Sequence, residues 1–129
     1  MIIAVDFDGV LCENAFPDIG KPKYEVISLV RELIDEGHEV ILWTTRVEKE
    51  LEAAADWCDD RGLHFCNVNG PAPSNLKKFK GTYQTEPRKV FADVYIDDHN
   101  LEFMRAGMEG ESNMVKHLRS LREVRVSER

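Results

Sequence analysis

The first apolar run of this chain ends in two aspartates separated by one residue, Ile2-Ile3-Ala4-Val5-Asp6-Phe7-Asp8-Gly9. Side chains alternate along a strand, so Asp6 and Asp8 leave on the same side at the end of a segment that is otherwise core. Adjacent anions repel unless a cation or a proton lies between them. Gly9 lets the backbone turn sharply straight after them. A second acidic pair, Asp97-Asp98, closes a later apolar run, and Thr44-Thr45-Arg46 closes another. Hard carboxylate oxygens from Asp6 and from Asp97 or Asp98 could hold Mg²⁺, which favours octahedral oxygen ligation and keeps several waters plus a substrate phosphate. With hydroxyls and a cation nearby, such a site suits phosphoryl transfer. One carboxylate attacks phosphorus, a metal and a lysine neutralise the phosphate, and a second carboxylate moves the proton.

The elements that must position these groups follow from apolar periodicity. Residues 2–6 predict a buried strand, and residues 10–21, holding Pro17 and Gly20, a loop or short hairpin. Val26, Ile27, Val30, Leu33 and Ile34 recur at helical spacing and predict a helix over 22–36, closed by Gly37. Residues 38–44 carry the unbroken run Val40-Ile41-Leu42-Trp43, the pattern of a parallel strand buried on both faces. Leu51, Ala54, Ala55 and Cys58 predict a second helix over 48–61, and residues 63–68 a short third strand. Residues 69–88 hold Gly70, Pro71, Pro73, Gly81 and Pro87, show no period, and predict a long loop of a kind that is often functional. Residues 90–96 predict a fourth strand. The stretch after Asp98 lacks a good apolar run, which leaves a fifth strand short or missing. Met114, Val115, Leu118 and Leu121 predict an amphipathic helix over 112–121.

Alternation of strand and helix predicts an α/β fold, a three-layer Rossmann-like sandwich with a mainly parallel central sheet. Ligands of such sheets bind beyond the carboxyl ends of the strands, near a switch in strand order. All three polar clusters fall at strand ends of that kind.

The 129 residues suit one domain spanning 1–129, with 43% hydrophobic and 32% charged residues. A formal net charge of −7 makes nucleic acid or an anionic membrane surface an unexpected partner. Cys12, Cys58 and Cys66 are an odd number without CxxC spacing, which argues for reduced thiols in a cytoplasmic protein rather than a disulfide framework or zinc knuckle. The start has no basic region ahead of its apolar run, so no signal peptide is expected, and no stretch reaches the ~18 apolar residues of a membrane span. Trp43 is expected in the core and Glu13 and Asp18 in solvent. His99 borders the second acidic pair. The 112–121 stripe could pack on its own sheet or on a partner, so a homo-oligomer is possible.

Asp6-Phe7-Asp8-Gly9-Val10-Leu11, then Leu42-Trp43-Thr44-Thr45-Arg46, then Arg88-Lys89 ahead of Val94-Tyr95-Ile96-Asp97-Asp98, occur in one order along most of the chain. This set resembles the haloacid dehalogenase-like superfamily of phosphohydrolases, and the context from Arg88 to Asp98 resembles its deoxyribonucleotidase branch. The resemblance implies Asp6 as a nucleophile that forms an aspartyl-phosphate. It implies Asp8 as general acid/base, with its backbone carbonyl on the metal. Thr44 would hydrogen-bond the phosphoryl oxygens with help from the Thr45 amide, and Gly9 would lie against the phosphate. Lys89 would steady nucleophile and phosphate, with Lys77, Lys78 and Lys80 as alternatives at longer separations from Asp97. Asp97 would ligate Mg²⁺, with Asp98 as a second or water-mediated ligand. Arg46 is either a phosphate ligand or a surface or salt-bridging residue.

The 35 residues between Asp8 and Thr44, and the segment from Arg46 to Lys89, are too short for the family's usual cap domains. The resemblance therefore implies an open, capless site, with 69–88 as a partial lid. The activity implied is that of a Mg²⁺-dependent phosphomonoesterase acting on a small phosphorylated metabolite, a nucleotide or sugar phosphate. The alternatives are a phosphatase acting on a polynucleotide or protein end, and a non-catalytic phosphate-binding protein.

Overall fold

A computed structural model describes residues 1–78 and 89–124. Four short parallel strands form its centre. They are β1 (Ile2–Val5), β4 (Glu39–Leu42), β5 (Asn67–Val68) and β6 (Val94–Ile96), in the order β5-β4-β1-β6. A separate antiparallel hairpin, β2 (Cys12–Ala15) and β3 (Asp18–Pro22), follows β1. The helices are α1 (Tyr24–Asp35), α2 (Glu48–Asp60), α3 (Pro73–Lys78), α4 (Leu101–Met108) and α5 (Glu111–Arg119), with a terminal 3-10 turn over Ser120–Glu123. This is a Rossmann-like α/β arrangement, a parallel sheet flanked by helices. Among the described residues, no helix is long and apolar enough to cross a membrane.

Register explains how the site is aimed. Ile3 pairs with Val40 and Val94, and Val5 with Leu42 and Ile96. All six residues pack in one cluster with the apolar faces of α1, α2, α4 and α5. Ala4 pairs with Ile41 and Tyr95, and these three belong to a second cluster that Ala72, Val90 and Ala92 complete. Strand side chains repeat every two residues. The row beyond Ala4 on that second face is therefore Asp6 between Trp43 and Asp97. The backbone continues to that row, with the Asp6 amide donating to the Ile96 carbonyl at 2.9 Å and the Trp43 amide to the Val5 carbonyl at 2.8 Å. Because β4 and β6 flank β1, the chain's order reverses at β1, and Asp6 stands at that switch.

Several elements differ from the sequence reading. The segment 10–21 resolves as a hairpin. Within 69–88, residues Pro73–Lys78 form α3, whereas residues 79–88, half of the suggested lid, lie outside the described residues. The described layer on the second face is correspondingly thin, carried by Ala72 and the stretch from Val90 to Ala92 rather than by long helices. β6 is shorter than 90–96 because the Tyr95 hydroxyl turns back on the backbone of Val90 and Ala92. Asp93 closes that turn onto β1, its carboxylate accepting from the Ile2 amide at 2.7 Å. No strand follows β6 among the described residues. α4, which the sequence reading did not include, starts where the Asn100 side chain accepts from the Glu102 and Phe103 amides. The 112–121 stripe packs within the chain, since Met114, Val115, Leu118 and Leu121 are all buried in the first cluster.

Candidate functional site

The strand ends meet in an open cleft of about 650 Å³ lined by Asp6, Asp8, Thr44, Thr45, Asp97, Asp98, Asn14, Phe16, Trp43 and His99. Six of the residues singled out from the sequence thus share one cavity. One oxygen from each of Asp6, Asp97 and Asp98 lies within 4.8 Å of the others. The turn after β6 holds Asp97 in place: its carboxylate accepts from the His99 amide at 2.8 Å, and its carbonyl from the Asn100 amide at 3.0 Å. Gly9 has φ +85°, and a Cβ there would stand 2.1 Å from the Asp98 carboxylate oxygen. Both the left-handed backbone and the close approach require glycine. Gly9 therefore serves the acidic cluster directly by making room for Asp98.

Three half-buried anions in contact are unstable without a counter-charge. The Asp6 carboxyl is pushed up to about 7, most by burial and further by the charges of Asp97 and Asp98, against the opposing hydrogen bond from the Phe7 amide. Burial also raises Asp98, with His99 pulling the other way. Carboxylates alone, without histidine or cysteine, are the donor set of a hard divalent cation, so these residues fit a metal of that class.

Asp8 stands apart from that trio. Arg46 holds its carboxylate by a bidentate pair, Nε to Oδ2 and Nη2 to Oδ1, both at 2.8 Å. The same guanidinium donates to the carbonyls of Asp18 at 2.8 Å, Pro17 at 3.1 Å and Glu50 at 3.4 Å. Arg46 is 2% exposed, and its donors are taken up by these acceptors. Of the two roles left open for Arg46, the structure bears out the salt bridge. It does not present the side chain as a phosphate ligand.

The loop after β4 is held from two sides. The Thr44 hydroxyl accepts from the Arg46 amide at 3.2 Å, and the Thr44 amide donates to the Asn69 side chain at 2.8 Å. Asn69 adopts φ +51° to reach it, a backbone region asparagine tolerates better than most residues. Asn69, Asn14 and Phe16 are site-forming residues that sequence reasoning missed. The available signals were an asparagine before Gly70 at a strand end, and a hairpin placed directly after the acidic pair.

Lys89 is not among the cleft-lining residues. It is exposed, with its ammonium 5.5 Å from the centre of the Tyr95 ring. Tyr95 shares a sheet face with Asp97, so Lys89 lies on the correct face, one strand repeat short of the cluster. The side chains of Lys77 and Lys78, and all of Lys80, lie outside the described residues. Trp43, expected in the core, does pack on the second cluster but also forms a wall of the cleft. Cys12 is no nucleophile, because burial, and then Asp8, push its thiol up.

Two outcomes follow from this geometry. Arg46→Met leaves the Asp8 carboxylate and two hairpin carbonyls unpaired, and should lower unfolding free energy by roughly 3–5 kcal/mol in urea titrations. The loss should be smaller in an Asp8→Asn background, and Arg46→Lys should not restore stability, because lysine lacks the planar fork. The second outcome concerns pH. An acid whose folded value lies above its unfolded value binds its proton more tightly when folded, so Asp6's contribution to stability is full below the unfolded value of 3.8 and is lost as pH rises toward about 7. Metal-free Asp6→Asn should therefore melt at a higher temperature than the parent at pH 8, and the gap should narrow at pH 5. A divalent cation should raise the parent's melting temperature more than the variant's.

No family model matches the chain, and no curated protein matches it. Among solved structures, a conserved protein from Bacteroides thetaiotaomicron is 32% identical, with a TM-score of 0.71 over 93% of this chain and 90% of that one. At that identity and mutual coverage the likeness extends beyond the fold, and this chain belongs to the same family as that conserved Bacteroides protein.

Proposed function

We propose that the chain is a Mg²⁺-dependent phosphomonoesterase of the haloacid dehalogenase-like type, without a cap domain, that works through an aspartyl-phosphate on Asp6. One observation carries the reading. Four aspartates meet at the switch point of a parallel sheet and are sorted into two environments, three with oxygens within 4.8 Å of one another and one paired to a buried arginine. Paired carboxylates with separate surroundings are what an acid–base and nucleophile division requires.

In this reading Asp6, Asp97 and Asp98 hold the metal together with the Asp8 carbonyl. Bound there, Mg²⁺ supplies positive charge that offsets the carboxylates and the phosphate. Asp6 attacks phosphorus in line with the leaving oxygen, and the Thr44 hydroxyl and Thr45 amide receive the phosphoryl oxygens. Asp8 protonates the departing alcohol and then takes a proton from the water that cleaves the acyl phosphate. The Arg46 pair orients Asp8 without exhausting it, because each carboxylate oxygen keeps a lone pair beyond the one given to the guanidinium. Lys89, lying over Tyr95, is assigned the phosphate charge once substrate is bound.

The substrates proposed are small phosphorylated metabolites. The net charge of −7 weighs against a polynucleotide end. A non-catalytic phosphate-binding role is disfavoured by Asp6, because a carboxyl pushed up by burial, and further by Asp97 and Asp98, is a cost that binding phosphate alone does not explain.

The test is hydrolysis of p-nitrophenyl phosphate with Mg²⁺, with EDTA, and by Asp6→Asn. Turnover should require the metal and fall at least 10³-fold in the variant, the loss expected when a covalent nucleophile is removed. Turnover unaffected by Asp6→Asn would contradict the assignment. Competition by mononucleotides against phosphorylated oligomers then separates metabolite from macromolecule.

A further inference from the structure

Phe16 is the residue of the cleft that packing explains least. It sits at the tip of the β2–β3 hairpin, 59% exposed, yet it lines the cavity that holds the aspartates. A large ring left in water at a loop tip normally finds no fixed place. This one is fixed. The Arg46 guanidinium lies 5.1 Å from its ring centre and also donates to the carbonyls of the next two residues, Pro17 and Asp18. The Phe16 amide donates to the Asn14 side chain at 3.4 Å. The hairpin tip is thereby tied to the same guanidinium that grips Asp8.

Only one guanidinium separates the ring from the Asp8 carboxylate. In the proposed reaction Asp8 faces the leaving oxygen, so the group attached to that oxygen must pass beside Phe16. On another wall of the cleft stands the Trp43 ring. An exposed, pre-positioned aromatic face beside the leaving-group path is a stacking platform: it offers contact area without the ordering cost that a mobile side chain would add on binding.

We infer that Phe16 is the specificity-determining residue of this site and that it recognises a planar ring on the alcohol side of a phosphate monoester. The inference rests on the phosphomonoesterase reading for the direction of the leaving group. Both an aryl phosphate and a nucleoside monophosphate carry the required ring, the first next to the ester oxygen and the second beyond a sugar.

Binding tests this without turnover. The full chain with Mg²⁺ is titrated with methylphosphonate, phenylphosphonate and the phosphonate analogue of a nucleoside 5′-monophosphate, followed calorimetrically. The ringed ligand that fits should bind about tenfold more tightly than methylphosphonate, the scale of one ring stacked on an aromatic face. Phe16→Leu keeps apolar bulk but removes the ring. It should erase that preference and leave methylphosphonate affinity unchanged. Whichever ringed ligand shows the preference identifies the ring's reach. Equal affinity for all three ligands overturns the inference. So does equal weakening of all three by Phe16→Leu, which would mean that Phe16 only steadies Asp8 through Arg46. Absence of binding by every ligand also overturns it, and p-nitrophenyl phosphate turnover by the same preparation then tells whether the phosphomonoesterase reading fails with it.

Discussion

A single buried guanidinium organises the edge of this sheet. Arg46 comes from the loop after β4, grips Asp8 beyond β1, holds the hairpin tip at Pro17 and Asp18, and touches the first turn of α2 through Glu50. The end of β1 and the hairpin tip, both far from it in sequence, converge with the start of α2 on one side chain. The bidentate pair gives it a fixed orientation, and the backbone carbonyls satisfy what remains. Without that clamp, the Asp8 carboxylate and the carbonyls of the hairpin tip would lose their common partner.

The clamp also divides the charge. One aspartate has a permanent protein partner. Among the described residues the other three have one another, the Phe7 amide on Asp6, the His99 amide on Asp97, and the exposed His99 ring 3.7 Å from Asp98. A protein selected for stability alone would replace one of them. Three carboxylates set this close, with Asp6 raised by burial and by its neighbours, fit a ligand that brings positive charge. Gly9 belongs to the same design, since any side chain there would displace Asp98.

Much of this was legible in the sequence because it depends on period and on strand ends. The continuous apolar runs at residues 2–5 and 40–43, the helical spacing of Val26, Ile27, Val30 and Leu33, and the aspartates closing two strands all follow from local rules. Asp6, Asp97 and the threonines could be placed together because parallel register carries one strand's end to the next. The features that were missed depend on tertiary reach. Arg46 was singled out, but which of its roles it fills, and that its partner is Asp8, shows only once the hairpin folds over it. Asn69 has meaning only because its side chain crosses to Thr44. α4 begins with an asparagine cap, but its apolar residues do not form one stripe: Phe103 and Ala106 are buried while Leu101, Met104 and Met108 are exposed. β6 was drawn too long because Val90 and Ala92 are apolar yet turn back under the Tyr95 hydroxyl, and apolar character alone does not distinguish those two conformations.

The central claim is that Asp6 carries the phosphoryl group. Acyl phosphates are reduced by borohydride, which converts a phosphorylated aspartate to homoserine. The most direct measurement is to quench the Mg²⁺-loaded protein during turnover of a phosphate ester, reduce it, and locate the product by peptide mass spectrometry. Homoserine at position 6, absent without substrate, is the result this account predicts. Sustained turnover with unmodified Asp6, or homoserine at Asp8, Asp97 or Asp98 instead, would contradict it.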